Sequence, residues 1–118
     1  MVYREFIVPS HEAIVDALGV EPEISAGDVD TWVLRLAAPE GESFIFSYSV
    51  PDRSVRCQWM RDGAPVVDIF REGAASFAVE SDRRIAKITV FFEVDGLCGQ
   101  LDLQVLPRFS VIDKLLFS

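Results

Sequence analysis

Histidine and cysteine are scarce in this chain of 118 residues, and that scarcity closes off much of the chemistry a small protein can carry. The single histidine, His11, is the only one a histidine-dependent triad could use, and a metal site with two histidine ligands is excluded. It falls in the first turn of an expected helix, where a solvated imidazole is the plain reading and a general base facing an acidic loop is the sharper one. The two cysteines, Cys57 and Cys98, fall on opposite faces of the strands derived below, so no disulfide can join them. Cys57 reads as a small core residue and Cys98 as an outward one that faces Glu93. Neither has a cationic neighbour that would favour a thiolate.

The chain also lacks a glycine-rich phosphate loop, a paired CxxC and an internal repeat. No stretch nears the ~20 apolar residues that span a bilayer, and MVYREFIVPS alternates like a strand instead of opening as a leader. The expectation is one cytoplasmic domain, 1–118, with no catalytic residue, no cofactor and no metal site. Glu21, Glu23, Asp28 and Asp30 do not have the spacing or the closing glutamate of an EF-hand loop, and they read as solvated.

Positive charge is in short supply where it would matter most. The net charge is −8, and residues 1–31 hold seven acids against Arg4 alone, a net of −6, while the remaining 87 residues contribute −2. Such a surface argues against nucleic acid and against anionic membranes, which both require cationic contacts. It permits a basic protein partner.

What the chain does have is strand pattern. Between Arg84 and Pro107, Ala86, Ile88, Val90, Phe92 and Val94 alternate with Lys87, Thr89, Phe91 and Glu93, the period of two of a strand with one buried face. Asp95-Gly96 supplies the positive-φ pair of a type I′ turn, which sets Val94 against Leu97, Val90 against Leu101 and Ile88 against Leu103. Upstream, Tyr3–Val8 reads as a first strand. Ser10 caps a helix of about two turns that Gly19 ends, with Val15 touching Val20 at its close. Glu21–Asp30 reads as a loop, and a meander starts at Trp32. Three-residue loops with glycine third are expected at Pro39-Glu40-Gly41, Arg61-Asp62-Gly63 and Arg71-Glu72-Gly73. Two-residue turns are expected at Pro51-Asp52, able to open to four without a change of register, and at Ser81-Asp82.

These registers align Trp32, Tyr48, Val55, Ile69, Ala75, Ile88 and Leu103 in one inner row, and Leu34, Phe46, Cys57, Val67, Phe77, Ala86 and Val105 in the next, with no charge in either. On the outer face Arg56 stands beside Asp68. The fold class implied is α+β, mainly β: a seven- to eight-stranded antiparallel meander with one short N-terminal helix. Seven strands about 4.8 Å apart exceed 30 Å in width, and a helix about 12 Å long cannot cover them. The sheet is therefore expected to curl into a half-barrel or barrel, plugged by the helix through Ile14, Val15 and Leu18. In RFSVIDKLLFS, Ser110 and Asp113 resemble a capping box and Ile112, Leu115 and Leu116 have helical spacing, which predicts a short C-terminal helix. It is expected to fold back on an outer apolar row of Ile45, Val66 and Ile85, giving a monomer; a homodimer is the alternative if it packs on a second copy.

Two functional surfaces follow. Glu12, Asp16, Glu21, Glu23, Asp28 and Asp30 would dock the basic partner, in the manner of an inhibitor or immunity-type factor and without catalysis. Alternatively Trp32, Phe46, Tyr48, Trp59, Phe77 and Phe92 would frame a pocket for a small apolar ligand, as in a carrier or sensor barrel. The outer Arg35, Arg56, Asp68 and Lys87 read as a solvated charge ladder, with an anion site the lesser alternative.

Overall fold

A computed structural model describes residues 5–37 and 40–117, with the side chains of 115–117 left aside. Among the described residues, one helix, α1 (His11–Leu18), precedes nine strands: β1 (Glu23–Ser25), β2 (Asp28–Ala37), β3 (Glu42–Ser49), β4 (Ser54–Arg61), β5 (Ala64–Glu72), β6 (Ala74–Asp82), β7 (Ile85–Val94), β8 (Leu97–Leu106) and β9 (Ser110–Phe117). All strand pairs are antiparallel between sequence neighbours, in a five-stranded sheet β1-β2-β3-β4-β5 and a four-stranded sheet β6-β7-β8-β9. The result is a mainly β, α+β fold of two sheets.

The expected curl into a barrel is not what occurs. The meander breaks at Gly73, so β5 and β6 do not pair and the hairpin expected at 70–74 does not form. Gly73 has φ 88°, and the groups around it bond elsewhere: the Ala74 N–H donates to the Arg53 carbonyl at 3.0 Å and the Glu93 N–H to the Gly73 carbonyl at 3.1 Å. The chain thus steps from one sheet to the other, and the width problem is solved by two sheets covering each other's apolar faces. Ring contacts cross between them, Phe46 to Phe77 at 5.3 Å, Tyr48 to Phe77 at 4.8 Å and Phe44 to Phe109 at 5.3 Å.

The helix forms for the expected reasons. Ser10 accepts from the Ala13 N–H at 3.1 Å, and Gly19 takes φ 74° with its N–H on the Val15 carbonyl. Its buried residues are Ile14 and Leu18, whereas Val15, expected to plug inward, is 40% exposed. At i, i+3 and i+4 the inward stripe is Ile14, Ala17 and Leu18, which leaves Val15 on the outer side. The helix packs on β6 and β7. Of the expected first strand, Tyr3 and Arg4 lie outside the described residues; Ile7 forms an isolated parallel bridge with Ser76, and Phe6 packs on Phe77.

The C-terminal helix is replaced by a strand. Residues 110–117 pair with β8, from Gln104 opposite Ser110 to Leu97 opposite Phe117. The open edge of β8 offers a full ladder of backbone partners to a segment too short to be stable as a lone helix. Val111 accordingly packs on the core while Ile112 is 53% exposed. Phe109 is buried between the sheets, and the outer row that was to receive a helix is divided, Ile45 and Val66 lying on the first sheet and Ile85 on the second. The predicted packing of Leu115, Leu116 and Phe117 lies outside the described side chains. The acidic segment 21–30, expected as a loop, contributes β1 and the start of β2, with Ile24 opposite Trp32.

Several registers hold: Trp32–Tyr48, Leu34–Phe46, Phe46–Cys57, Val90–Leu101 and Ile88–Leu103. Three shift. Asp62-Gly63 makes a two-residue turn and a bulge at Trp59/Met60 adds one residue more, so Cys57 faces Ile69; Arg83-Arg84 replaces Ser81-Asp82 as the turn, so Phe77 faces Val90; and a bulge at Ala86/Lys87 sets Ala86 opposite Leu106 instead of Val105. Val50–Arg53 forms the four-residue opening between Ser49 and Ser54. Of the loop before β3, Ala38 and Pro39 lie outside the described residues.

Candidate partner-binding surface

The fold divides the six acids expected to bind a partner into two groups. Glu12 and Asp16 are exposed on α1, with Glu21 just beyond it. Glu23, Asp28 and Asp30 belong to the β1–β2 hairpin at the edge of the first sheet. Glu23 pairs with Arg35 at 3.6 Å, both side chains well exposed. Asp28 accepts from the Asp30 N–H at 2.9 Å and from Thr31 Oγ1 at 2.8 Å, and the bond from the Asp30 N–H, then that from Thr31, hold its carboxyl below the usual range. Among these acids stand Ile24, 56% exposed, and Val29, 81% exposed. His11, exposed in the first helical turn, sets its ring edge-on to Trp32 at 4.4 Å, which joins the helix to the hairpin sheet. Among the described residues no three His, Cys, Asp or Glu side chains gather as metal ligands.

A second feature lies on the outer face of the first sheet. Three rows cross β2 to β5: Thr31, Ser49, Ser54, Glu72; then Val33, Ser47, Arg56, Phe70; then Arg35, Ile45, Gln58, Asp68. Most of these residues, with Ser25, Asp28 and Asp52, line a cleft of about 520 Å3. Arg56 and Asp68, expected as partners in one row, stand in adjacent rows opposite Phe70 and Gln58 and form a two-pronged diagonal pair at 3.0 and 2.9 Å. The hydrogen bond from Arg56 holds the Asp68 carboxyl below its usual range. Ser49 and Ser54 are only 3% and 6% exposed although they belong to the outer face. The rows could be read from the strand pattern, but the cleft could not, because the β1–β2 hairpin and the β3–β4 turn add Ser25, Asp28 and Asp52 to its lining.

The residues proposed to frame an apolar pocket lie mostly between the sheets. Phe46, Tyr48, Phe77 and Phe92 are buried, and Trp32 and Trp59 pack partly buried at the margin. Trp59 Nε1 donates to Glu42 at 2.9 Å. The Tyr48 hydroxyl is buried without a hydrogen-bond partner, and burial pushes the phenol up to about 12. Burial likewise pushes the Cys57 thiol up to about 11; both cysteines are free. Where the sheets part, Arg71, Glu72, Phe92, Val94, Leu97, Gly99 and Asp113 line a further cleft of about 410 Å3. Arg71 lies over the Phe92 ring, 5.3 Å from its centre, and grips Asp113 with both nitrogens at 2.7 and 2.6 Å.

No protein-family model matches the chain, and no curated protein matches it in sequence. A solved structure, the contact-dependent growth inhibition toxin–immunity protein complex from Klebsiella pneumoniae 342, contains a chain of similar fold. The TM-score is 0.80 at 14% identity, over 93% of this chain and 96% of that one. The likeness is one of fold. Among the described residues no helix is long and apolar enough to cross a membrane.

Proposed function

We propose that this chain is a non-enzymatic, immunity-type protein that acts as a single cytoplasmic domain and binds a basic protein partner through its acidic N-terminal quarter. The observation that carries the proposal is the charge segregation, seven acids against one base in residues 1–31. The exposure of Glu12, Asp16, Glu21, Glu23, Asp28 and Asp30 leaves those charges available to a partner. A fold that also occurs in a toxin–immunity protein complex adds support of a different kind.

A one-sided acidic field steers a basic partner into encounter and is weakened as salt shortens its reach. The test is to express a toxin domain encoded beside this chain's gene with and without the chain, and to purify the pair. Restored growth and a one-to-one complex whose association slows as salt rises are expected. Undiminished toxicity together with no complex at low salt would overturn the proposal.

A further inference from the structure

The cleft on the first sheet has a charge balance that its own residues do not complete. Two cations reach it, Arg35 and Arg56, and each is neutralised by an acid outside the lining, Glu23 and Asp68. Three carboxylates line it, Asp28, Asp52 and Glu72, and none forms an ion pair among the described residues. Between them runs the hydroxyl row. Ser49 Oγ accepts from the Asp52 N–H at 3.4 Å, which leaves its second lone pair open to another donor. Ser54, 6% exposed, makes no side-chain hydrogen bond among the described residues. Its oxygen is not sealed from solvent, the Tyr48 hydroxyl being the buried side-chain polar atom without a partner among the described residues, so its lone pairs are open to a donor that enters the cleft. Val33 is buried in the same face, and Phe70, 62% exposed, stands at the β5 side. The volume of about 520 Å3 exceeds one side chain, and a lining this rich in hydroxyls and charge is unlike the mostly apolar sites of small molecules.

We infer that this cleft is a socket for a cationic side chain presented on a loop of the protein partner. Asp28, Asp52 and Glu72 would meet its charge, the Ser49 and Ser54 hydroxyls would accept its N–H groups, and Phe70 would lie against its stem. This deepens the proposed function and rests on the partner being a basic protein. It also extends the contact from the acidic hairpin, which supplies Asp28, onto the sheet face.

The socket is tested without the partner. The full chain, labelled with nitrogen-15, is titrated with n-butylguanidinium chloride, with n-butylurea as the uncharged control. Saturable amide shifts confined to Thr31, Ser49, Asp52, Ser54 and Glu72 are expected with the cation alone. The paired variant Asp52→Asn, Glu72→Gln should bind about tenfold more weakly, as loss of charge-assisted contacts requires, while its remaining spectrum shows that it is folded. Phe70→Ala, at an exposed position, should also weaken binding with all three carboxylates kept. Shifts of equal size at Glu12 and Asp16, an equal response to butylurea, or no response would overturn the inference. Because no toxin enters the experiment, its failure is separable from failure of growth rescue.

Discussion

Tyr48 carries a polar atom that its surroundings do not satisfy. The ring is 1% exposed and its hydroxyl has no partner, so the phenol forgoes its bond to water on folding without replacing it. Such a group costs about 1 to 3 kcal/mol. Tyr48→Phe is therefore expected to raise the unfolding free energy by roughly 1 kcal/mol, read as a higher urea midpoint with unchanged slope; a lower midpoint would mean that the hydroxyl is bonded. Cys57 offers a companion measurement. Its buried thiol, pushed up to about 11, should resist a thiol reagent at neutral pH until the protein unfolds, while half-buried Cys98 reacts in the native state. At this scale the strand pattern was a good guide. Two of the registers that moved did so by an even number of residues, Cys57 to Ile69 in place of Val67 and Phe77 to Val90 in place of Ala86, and an even shift leaves each side chain on its own face; the third, Ala86 to Leu106 in place of Val105, is a single-residue step at a bulge.

Elements were harder to read than faces, and the two ends of β6 and β9 show why. Gly73 looks in sequence like the third residue of a hairpin loop, the role assigned to Gly41 and Gly63 as well. Its left-handed φ of 88° is shared with Gly41 and Gly63, and what distinguishes it is tertiary: a Cβ there would overlap Val94 Cγ2 on β7, in the other sheet. Gly73→Ala should cost roughly 1 to 3 kcal/mol in thermal or urea unfolding. Adding Val94→Ala should recover the part due to overlap and leave the part due to backbone. Residues 110–117 pose the other ambiguity, since a short apolar segment has the spacing for a helix or a strand and the neighbouring edge of β8 decides. The N-terminal helix was legible because its signals are local, Ser10 at one end and Gly19 at the other. The Arg56–Asp68 pair of the candidate site was legible for the same reason that faces were; the cleft around it was not, because no periodicity encodes enclosure.

For the whole molecule, the parting of the sheets creates contacts that no hairpin pattern could reveal. Arg71 on β5 and Asp113 on β9 tie the two sheets together, and the hydrogen bond from Arg71 holds the Asp113 carboxyl below its usual range. A depressed carboxyl contributes stability that is present above the unfolded value near ~4 and is lost as pH falls through the native one. Asp113→Asn should therefore be less stable at neutral pH and should lose less on acidification. Both groups are partly exposed, so the difference should be about 0.5 kcal/mol, measured by urea unfolding at pH 7 and pH 3.

The division of acids between helix and hairpin makes a final prediction about how a partner is met. Encounter responds to the summed field of the molecule, so neutralising Glu12 and Asp16 or neutralising Glu23 and Asp30 should slow association with a basic partner to a similar degree at low salt. Dissociation responds to the contacts made. If the hairpin and the adjoining sheet face form the docked surface, the Glu23→Gln, Asp30→Asn pair should also hasten dissociation, whereas the Glu12→Gln, Asp16→Asn pair should leave it unchanged. Glu23 is partly engaged by Arg35, so its removal frees a cation close to the cleft and adds repulsion to the lost attraction. Surface plasmon resonance on the purified complex separates the two rates. Faster dissociation from the helix variant alone would place the interface on α1 and its surroundings, and would remove the hairpin and the cleft from the docked surface.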